Sequence, residues 1–449
     1  MLLPFAVGRP SQAVRISIFL VGMLFQLNVS AESFLFSTPA GSPGQAPMIG
    51  TTGDGTNNTA RFKSVSGLCV DANTNLFLTD AHALRKMAKV GSNWVVTTLA
   101  GNIDVLGFQD ASNKVAGFNN PQGLAVDASG VLYIADTENS TIRRVTNVGT
   151  NWVVNTIVGL ALNQGTQDGS NSVARFRNPY GVAVDSSGAL FVADSENHTI
   201  RKIVLSGTNW VVTTIAGSAG NSGTLDASNT TARFNGPLGI CVDSAGNFYV
   251  ADSNNHTIRK GTLLGTNWAV TTIAGLAGAS GSTDATNTNA RFSVPQGIAV
   301  DPAGNIYVSE FGNDLIRKIK VSGTNYVVST IGGKAGSPGN ANGAGSAARF
   351  NLPYGLGITA SGILFIADTM NNTVRSGSLA ALLDYQMVGN KLVASWPLAI
   401  ATNGYLAESA SSLTSAWTSA SAFAVTNGDT CFLTNNTTGA SGYYRLRKP

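Results

Sequence analysis

The apolar positions of this chain fall in short runs that recur along most of its length. Between Ala232 and Gly275 there are four: Gly239–Asp243, Phe248–Asp252, a run opening at Thr257, and Trp268–Gly275. β-Branched and aromatic residues fill them, and Gly, Asn, Asp and Ser fill the gaps, which predicts four strands, a to d. Apolar residues at helical spacing do not occur over any comparable length. The a-to-b connections read D-A-S-G, D-S-S-G, D-S-A-G and D-P-A-G, the chemistry of a type I turn, with Pro302 at its second position. Between c and d comes G-T-N-W or a close variant, opening at Gly91, Gly149, Gly207, Gly265 and Gly323.

The set repeats six times. The aspartate closing strand a recurs at Asp71, Asp127, Asp185, Asp243 and Asp301, with Thr359 in the sixth copy; the spacings are 56, then 58 four times. The phenylalanine of A-R-F recurs at Phe62, Phe118, Phe176, Phe234, Phe292 and Phe350, and the acid ending strand b at Asp80, Asp136, Asp194, Asp252, Glu310 and Asp368. One four-stranded sheet cannot bury both of its faces, whereas six around an axis each pack between two neighbours, so the expected fold is all-β, a six-bladed β-propeller. The middle of strand a is always small (Cys69, Ala125, Ala183, Cys241, Ala299, Gly357), as blades converging on an axis require.

The sixth copy lacks a strand d, and residues 34–46 look like one without its blade. The expectation is that Phe34–Gly41 completes the sixth blade and closes the ring, removing an open sheet edge. Each d-to-a crossing carries an aspartate (Asp54, Asp168, Asp226, Asp284) seven residues before the A-R-F arginine; the second copy keeps Asp110 but has Gly117 for arginine, and the sixth has Asn342. A short helical turn capped by that aspartate is expected, with the phenylalanine packed between blades. Because strands alternate in direction, the crossings and the b-to-c turns share one face of the ring. That loop face is the candidate binding surface, and its candidate residues are Arg61, Arg175, Arg233, Arg291 and Arg349 with Asn197, His198, Asn255 and His256.

The pattern A-R-F-x-x-P-x-G-[IV]-A-V-D-x-x-G-x-[LIF]-[YF]-V-A-D-x-x-N-H-T-I-R-K, followed by T-I-A-G, resembles NHL repeats and covers residues 34–376. The resemblance implies a six-bladed propeller of a family mostly known for binding proteins or other macromolecules. Some relatives are lyases or lactonase-like hydrolases with metal in the central channel. The expected function is therefore a non-catalytic binding or scaffold protein engaging a protein or glycan, the alternative a channel-centred lyase or lactone hydrolase. No cofactor is expected, calcium entering only under the alternative. The copies are so alike, and the strand-a interiors so apolar, that a dedicated catalytic centre is not expected.

Composition adds compartment. Residues 1–31 read as a signal peptide, with Arg9 and Arg15 before the apolar run Ile16–Leu27 and a small-residue cleavage site at Val29–Ala31, so export is expected and no membrane span thereafter. The formal charge of +4, carried by a chain with 12% charged residues, is no footprint for nucleic acid. Cys69 and Cys241 sit in copies one and four, across the ring from each other, where a disulfide between them is not expected. His198 and His256 share one turn position, His82 follows the same marker in the copy with the shortened turn, and the three do not converge as a metal site would demand. The N-x-[ST] sequons at Asn139, Asn197, Asn255 and Asn371 belong to the same turn. The propeller should span residues 32–380; residues 384–449, richer in Ser, Ala and Thr, should form a small β-sandwich-like module.

Overall fold

The computed structural model describes residues 32–379 and, beyond them, seven backbone strands between Asp384 and Arg447; the signal-peptide expectation for residues 1–31 lies outside the described residues. Phe34–Ser378 form one compact unit, and the chain from Leu379 belongs to another.

In the first unit six antiparallel sheets succeed one another along the chain. Strand b of the fourth blade is Phe248–Asp252, strand c Thr257–Leu264 and strand d Asn267–Ala274. Strand a opens two residues earlier than the apolar pattern suggests, at Pro237, and ends at Val242. Proline is tolerated there because the first residue of a strand can do without its ladder donor. In the third to sixth blades the early start places the residue between proline and glycine (Tyr180, Leu238, Gln296, Tyr354) inside the strand next to the axis; in the first blade Ser66 follows Val65, and in the second Gln122 precedes a strand that opens at Leu124.

Phe34–Gly41 lies in the sixth sheet beside strand c, Thr373–Leu379, so the ring closes with the N-terminal strand as expected. Ser37 Oγ and Ser376 Oγ are hydrogen-bonded at 2.9 Å. A feature the pattern did not reveal is a fifth, two-residue strand on four blades: Gly55–Thr56, Ala111–Ser112, Gly169–Ser170 and Gly343–Ala344. Each crossing pairs along the outer edge of the blade it is about to enter, as Gly169 does with Val212, and so covers backbone that an edge strand would expose.

Packing is continuous from blade to blade. Ala125, Tyr133, Ile142 and Val158 of the second blade share one cluster with Phe176, Val182, Leu190 and Val212 of the third. In four blades the strand-d tryptophan meets the strand-b aromatic of the blade before: Trp152 on Phe77, Trp210 on Tyr133, Trp268 on Phe191, Trp94 on Phe365. In the sixth blade Phe34 takes that part against Tyr307. Cys69 and Cys241 are free thiols, and burial pushes both pKa values up. No helix among the described residues is long and apolar enough to cross a membrane.

The second unit contains two antiparallel sheets. One joins Asp384–Val388, Lys391–Pro397, Thr430–Asn436 and Ala424–Asn427; the other joins Thr418–Ser419, Leu406–Ala410 and Tyr443–Arg447.

Candidate functional site at the mouth of the axis

Most of the polar residues on the loop face are tied into the scaffold. The strand-b acid is the hub. In the third blade Asp194 accepts from Arg201 Nη1 at 2.7 Å, from Asn197 Nδ2 at 2.8 Å and from the Arg177 N–H at 2.8 Å. Arg201 is fully buried; its other nitrogen reaches Asp168 at 2.7 Å, and its guanidinium lies over the Phe176 ring, 5.0 Å from the centroid. The first, second, fourth and fifth blades repeat the double ion pair through Arg85, Arg143, Arg259 and Arg317, while in the sixth Arg375 pairs with Asp368 and meets the amide oxygen of Asn342. Buried charge of this kind is tolerated because it is paired, through both terminal nitrogens of each guanidinium; the Nε of all six arginines is left without a partner. Burial pushes the Asp194 and Asp252 carboxyls up to about 6 against the pull of Arg201 and Arg259.

This network corrects the expected role of the crossing aspartates. Asp168 does not cap the 3₁₀ turn Asn171–Val173, whose N-cap is Ser170. It takes Arg201 and both the N–H and hydroxyl of Thr214 at 2.9 Å, because a carboxylate gains more from a buried guanidinium than from a three-residue turn.

The candidate binding residues fall into three groups. Arg61, Arg175, Arg233, Arg291 and Arg349 are half-buried and donate to the carbonyls ending the 3₁₀ turns, as Arg233 does to Thr230, Thr231 and Ala232 at 2.7–2.8 Å. Asn197 and Asn255 are buried, each bonding the hub acid and a crossing carbonyl, Gly165 or Gly223, at 2.7 Å. The sequon asparagines Asn139 and Asn371 are buried in the same way. His198 and His256 close the b-to-c turn in the left-handed conformation, and their Nδ1 atoms accept from the backbone N–H of Gly236 (3.1 Å) and Val294 (3.2 Å) in the next blade. His82 does likewise for Asn120 at 3.1 Å. Burial lowers all three imidazole pKa values. The structure does not bring these nine residues to one point.

What does converge is the residue just before the glycine at the start of strand a. Around the ring it reads Ser66, Gln122, Tyr180, Leu238, Gln296, Tyr354. Opposite blades thus set glutamine against glutamine and tyrosine against tyrosine. With their neighbours, all but Leu238 line a cavity of about 70 Å³ on the axis, and its wall is hydroxyl, carboxamide, glycine and aliphatic. Because strand a starts at the d-to-a crossing, the cavity opens on the loop face. Tyr180 and Tyr354 meet across it with ring centroids 6.5 Å apart and planes at 35°, and Phe311 backs Tyr354 at 5.5 Å. Gln296 Nε2 donates to Tyr180 Oη at 2.6 Å. Burial and the neighbouring Tyr354 hold the Tyr180 hydroxyl well above its ordinary pKa.

The glycine that follows sets the bore. A Cβ on Gly181 would stand 2.4 Å from the Leu238 carbonyl oxygen, and one on Gly123, Gly239, Gly297 or Gly355 would meet the equivalent oxygen of its next blade at 2.3–2.4 Å. Six backbones therefore approach as closely as glycine allows, and only the side chain before it differs between blades. This variation corrects the expectation of interchangeable, uniformly apolar strand-a interiors. The signal stood in the sequence as P-Q-G, P-Y-G and P-L-G, but a residue after proline reads as loop.

A closed ring of six four-stranded antiparallel blades, carrying its variable residues at one end of the axis, defines a β-propeller. A family model described as NHL repeat matches residues 118–144, 176–203, 234–260 and 292–319, each match opening at an A-R-F or G-F phenylalanine and ending in strand c. Four of the six blades thus carry a matched NHL repeat in a six-bladed β-propeller. The chain is 30% identical over 337 residues to Protein SUPPRESSOR OF QUENCHING 1, chloroplastic, of Arabidopsis thaliana, a match covering 71% of this chain and 30% of that protein. It is 37% identical over 155 residues to NHL repeat-containing protein 2 of Bos taurus, covering 32% of this chain and 21% of that one. These matches thus span less than a third of either relative's length. Among solved structures it is similar to an auxiliary nutrient binding protein from Bacteroides ovatus, with a TM-score of 0.54 and 16% identity over 78% of this chain and 77% of that one, a likeness of fold.

Proposed function

We propose that this is an exported, non-catalytic binding protein that takes a protein or glycan at the loop-face mouth of the axis. The observation that carries the reading is the convergence of the repeat-breaking residues Gln122, Tyr180, Gln296 and Tyr354 on one cavity. The rest of the loop face keeps its side chains for internal bonds, and a rigid scaffold presenting a few variable groups is the usual build of a recognition site. Pairs of tyrosines offer large contact area with little rotamer freedom to lose. Export rests on the leader pattern of residues 1–31, and the nutrient-binding neighbour of similar fold is in keeping with both halves of the reading.

The test is capture of ligands from the native exterior by the wild-type propeller and by a Tyr180→Ala/Tyr354→Ala variant. The variant should keep its melting curve within a few degrees and lose the captured ligand. Capture unchanged in the folded variant would move the site elsewhere. Turnover of lactone substrates by metal-loaded protein would replace binding with catalysis.

A further inference from the structure

The two halves of the axial mouth are built from the same residues but are bonded differently. On one side Gln296 is satisfied by the Tyr180 hydroxyl at 2.6 Å. On the other, Gln122 turns its amide nitrogen away to Asn120 Oδ1 at 2.8 Å, and its Oε1 is left without a partner although the residue is only 8% exposed. Thirteen buried side-chain atoms among the described residues lack a partner, and Gln122 Oε1 is the one of them whose residue lines the cavity. Gln122 lines the same cavity as Tyr354. The terminal torsion of a glutamine is broad, so Oε1 can turn to a donor entering the lumen.

We propose that Gln122 is the donor-reading residue of the mouth and that the ligand is a neutral saccharide, entering by a chain end whose hydroxyl donates to Gln122 Oε1 while a sugar face lies on Tyr354. The inference rests on the reading of the axial mouth as the binding site. Its chemistry follows from the lining. An orphaned acceptor asks for a donor, which a hydroxyl supplies without charge. No ionic side chain lines the cavity, so an anionic or cationic group would enter with nothing to replace its water. A flat aromatic wall beside amide and hydroxyl groups suits a ring that is apolar on its faces and polar at its edge. A cavity of about 70 Å³ admits the hydroxyl-bearing tip of a chain end, leaves the sugar ring at the mouth, and excludes a folded domain.

The experiment is calorimetric titration of the whole chain with malto-, cello-, laminari- and xylohexaose, with a polygalacturonate oligomer and an uncharged glycine-serine hexapeptide as comparison probes. At least one neutral hexaose should bind, and neither comparison probe should. Gln122→Met, which keeps shape and removes the acceptor, should weaken binding at least tenfold. Tyr354→Leu should weaken it similarly and Tyr354→Phe by less than threefold, each with a wild-type melting curve. Should Gln122→Met fail to fold, the Tyr354 pair still decides the matter. No heat from any neutral hexaose, tighter binding of the anionic or peptide probe, or unchanged affinity in the folded variants would overturn the proposal. A protein captured from the native exterior and lost in the Tyr180→Ala/Tyr354→Ala variant, with no hexaose binding, would keep the site and remove the saccharide.

Discussion

At the scale of the residue, two positions show how a conserved-looking letter can carry different work. The turn histidines His82, His198 and His256 accept a backbone N–H through Nδ1, which only a neutral imidazole can do. In the fifth blade a carboxylate does the same, Asp314 accepting from Leu352 at 2.8 Å. An unfolded histidine titrates at about 6.5; in the ring, burial lowers that value. The native molecule then binds fewer protons in the interval. The histidine contribution is complete above about pH 6.5 and is lost as pH falls toward the depressed value. A His198→Asp/His256→Asp variant, copying Asp314, should therefore lose less of its melting temperature than wild type between pH 7 and pH 5.5. Parallel melting curves across that range would refute this role. The second position is the glycine beside the axis. Gly181→Ala puts a methyl against the Leu238 carbonyl and should destabilise by about 1–3 kcal/mol, as overpacking does; a denaturant midpoint equal to wild type would show that the bore can widen.

At the scale of the element, the blade is held by an ion network whose members were all visible in the sequence and whose pairing was not. Asp168 and Arg201 stand 33 residues apart and meet only because the crossing first runs down the outer edge of its own blade as a two-residue strand. Two residues are too few for an alternation of polar and apolar positions to show, so the crossing aspartate reads as a helix cap. The strands b, c and d were legible because each has enough alternating residues to declare a period. The start of strand a was not, since in five copies proline masks it and the residue that varies sits immediately after. Removing one member of the network should cost far more than its surface counterparts suggest. Arg201→Met leaves Asp194 buried with Asn197 and one backbone N–H, and should destabilise by about 3–5 kcal/mol. Arg177→Met, which breaks the exposed pair with Glu196 (2.8 Å), should cost less than about 1 kcal/mol. Equal losses by chemical denaturation would mean that the buried network is not a source of stability.

At the scale of the molecule, sequence periodicity foretold both the number of blades and the way the circle is joined. Three markers in register gave six copies, and the strand missing from the sixth pointed to Phe34–Gly41. Phe36 is buried with its ring 5.2 Å from Phe350, edge to face. Phe36→Ala should cost about 3–5 kcal/mol, and deletion of residues 32–44 should lower the melting temperature further still; a truncated chain melting as wild type would mean that the ring does not depend on its clasp. The axial site was least legible at this scale, because it exists only as the sum of six single positions, one from each copy, that a search for sameness passes over.

The clasp also sets an order of events in time. Ser37 and Ser376 lie 339 residues apart in the chain, and they are hydrogen-bonded neighbours in the finished sheet. Phe34–Gly41 is synthesised ahead of every blade and must wait, unpaired, while five blades and most of a sixth form around an open gap. Through that interval the sixth sheet presents a free edge to any extended segment nearby, its own or another molecule's. A synthetic peptide of residues 34–41 offered to the truncated protein should slip into the gap and restore its melting temperature.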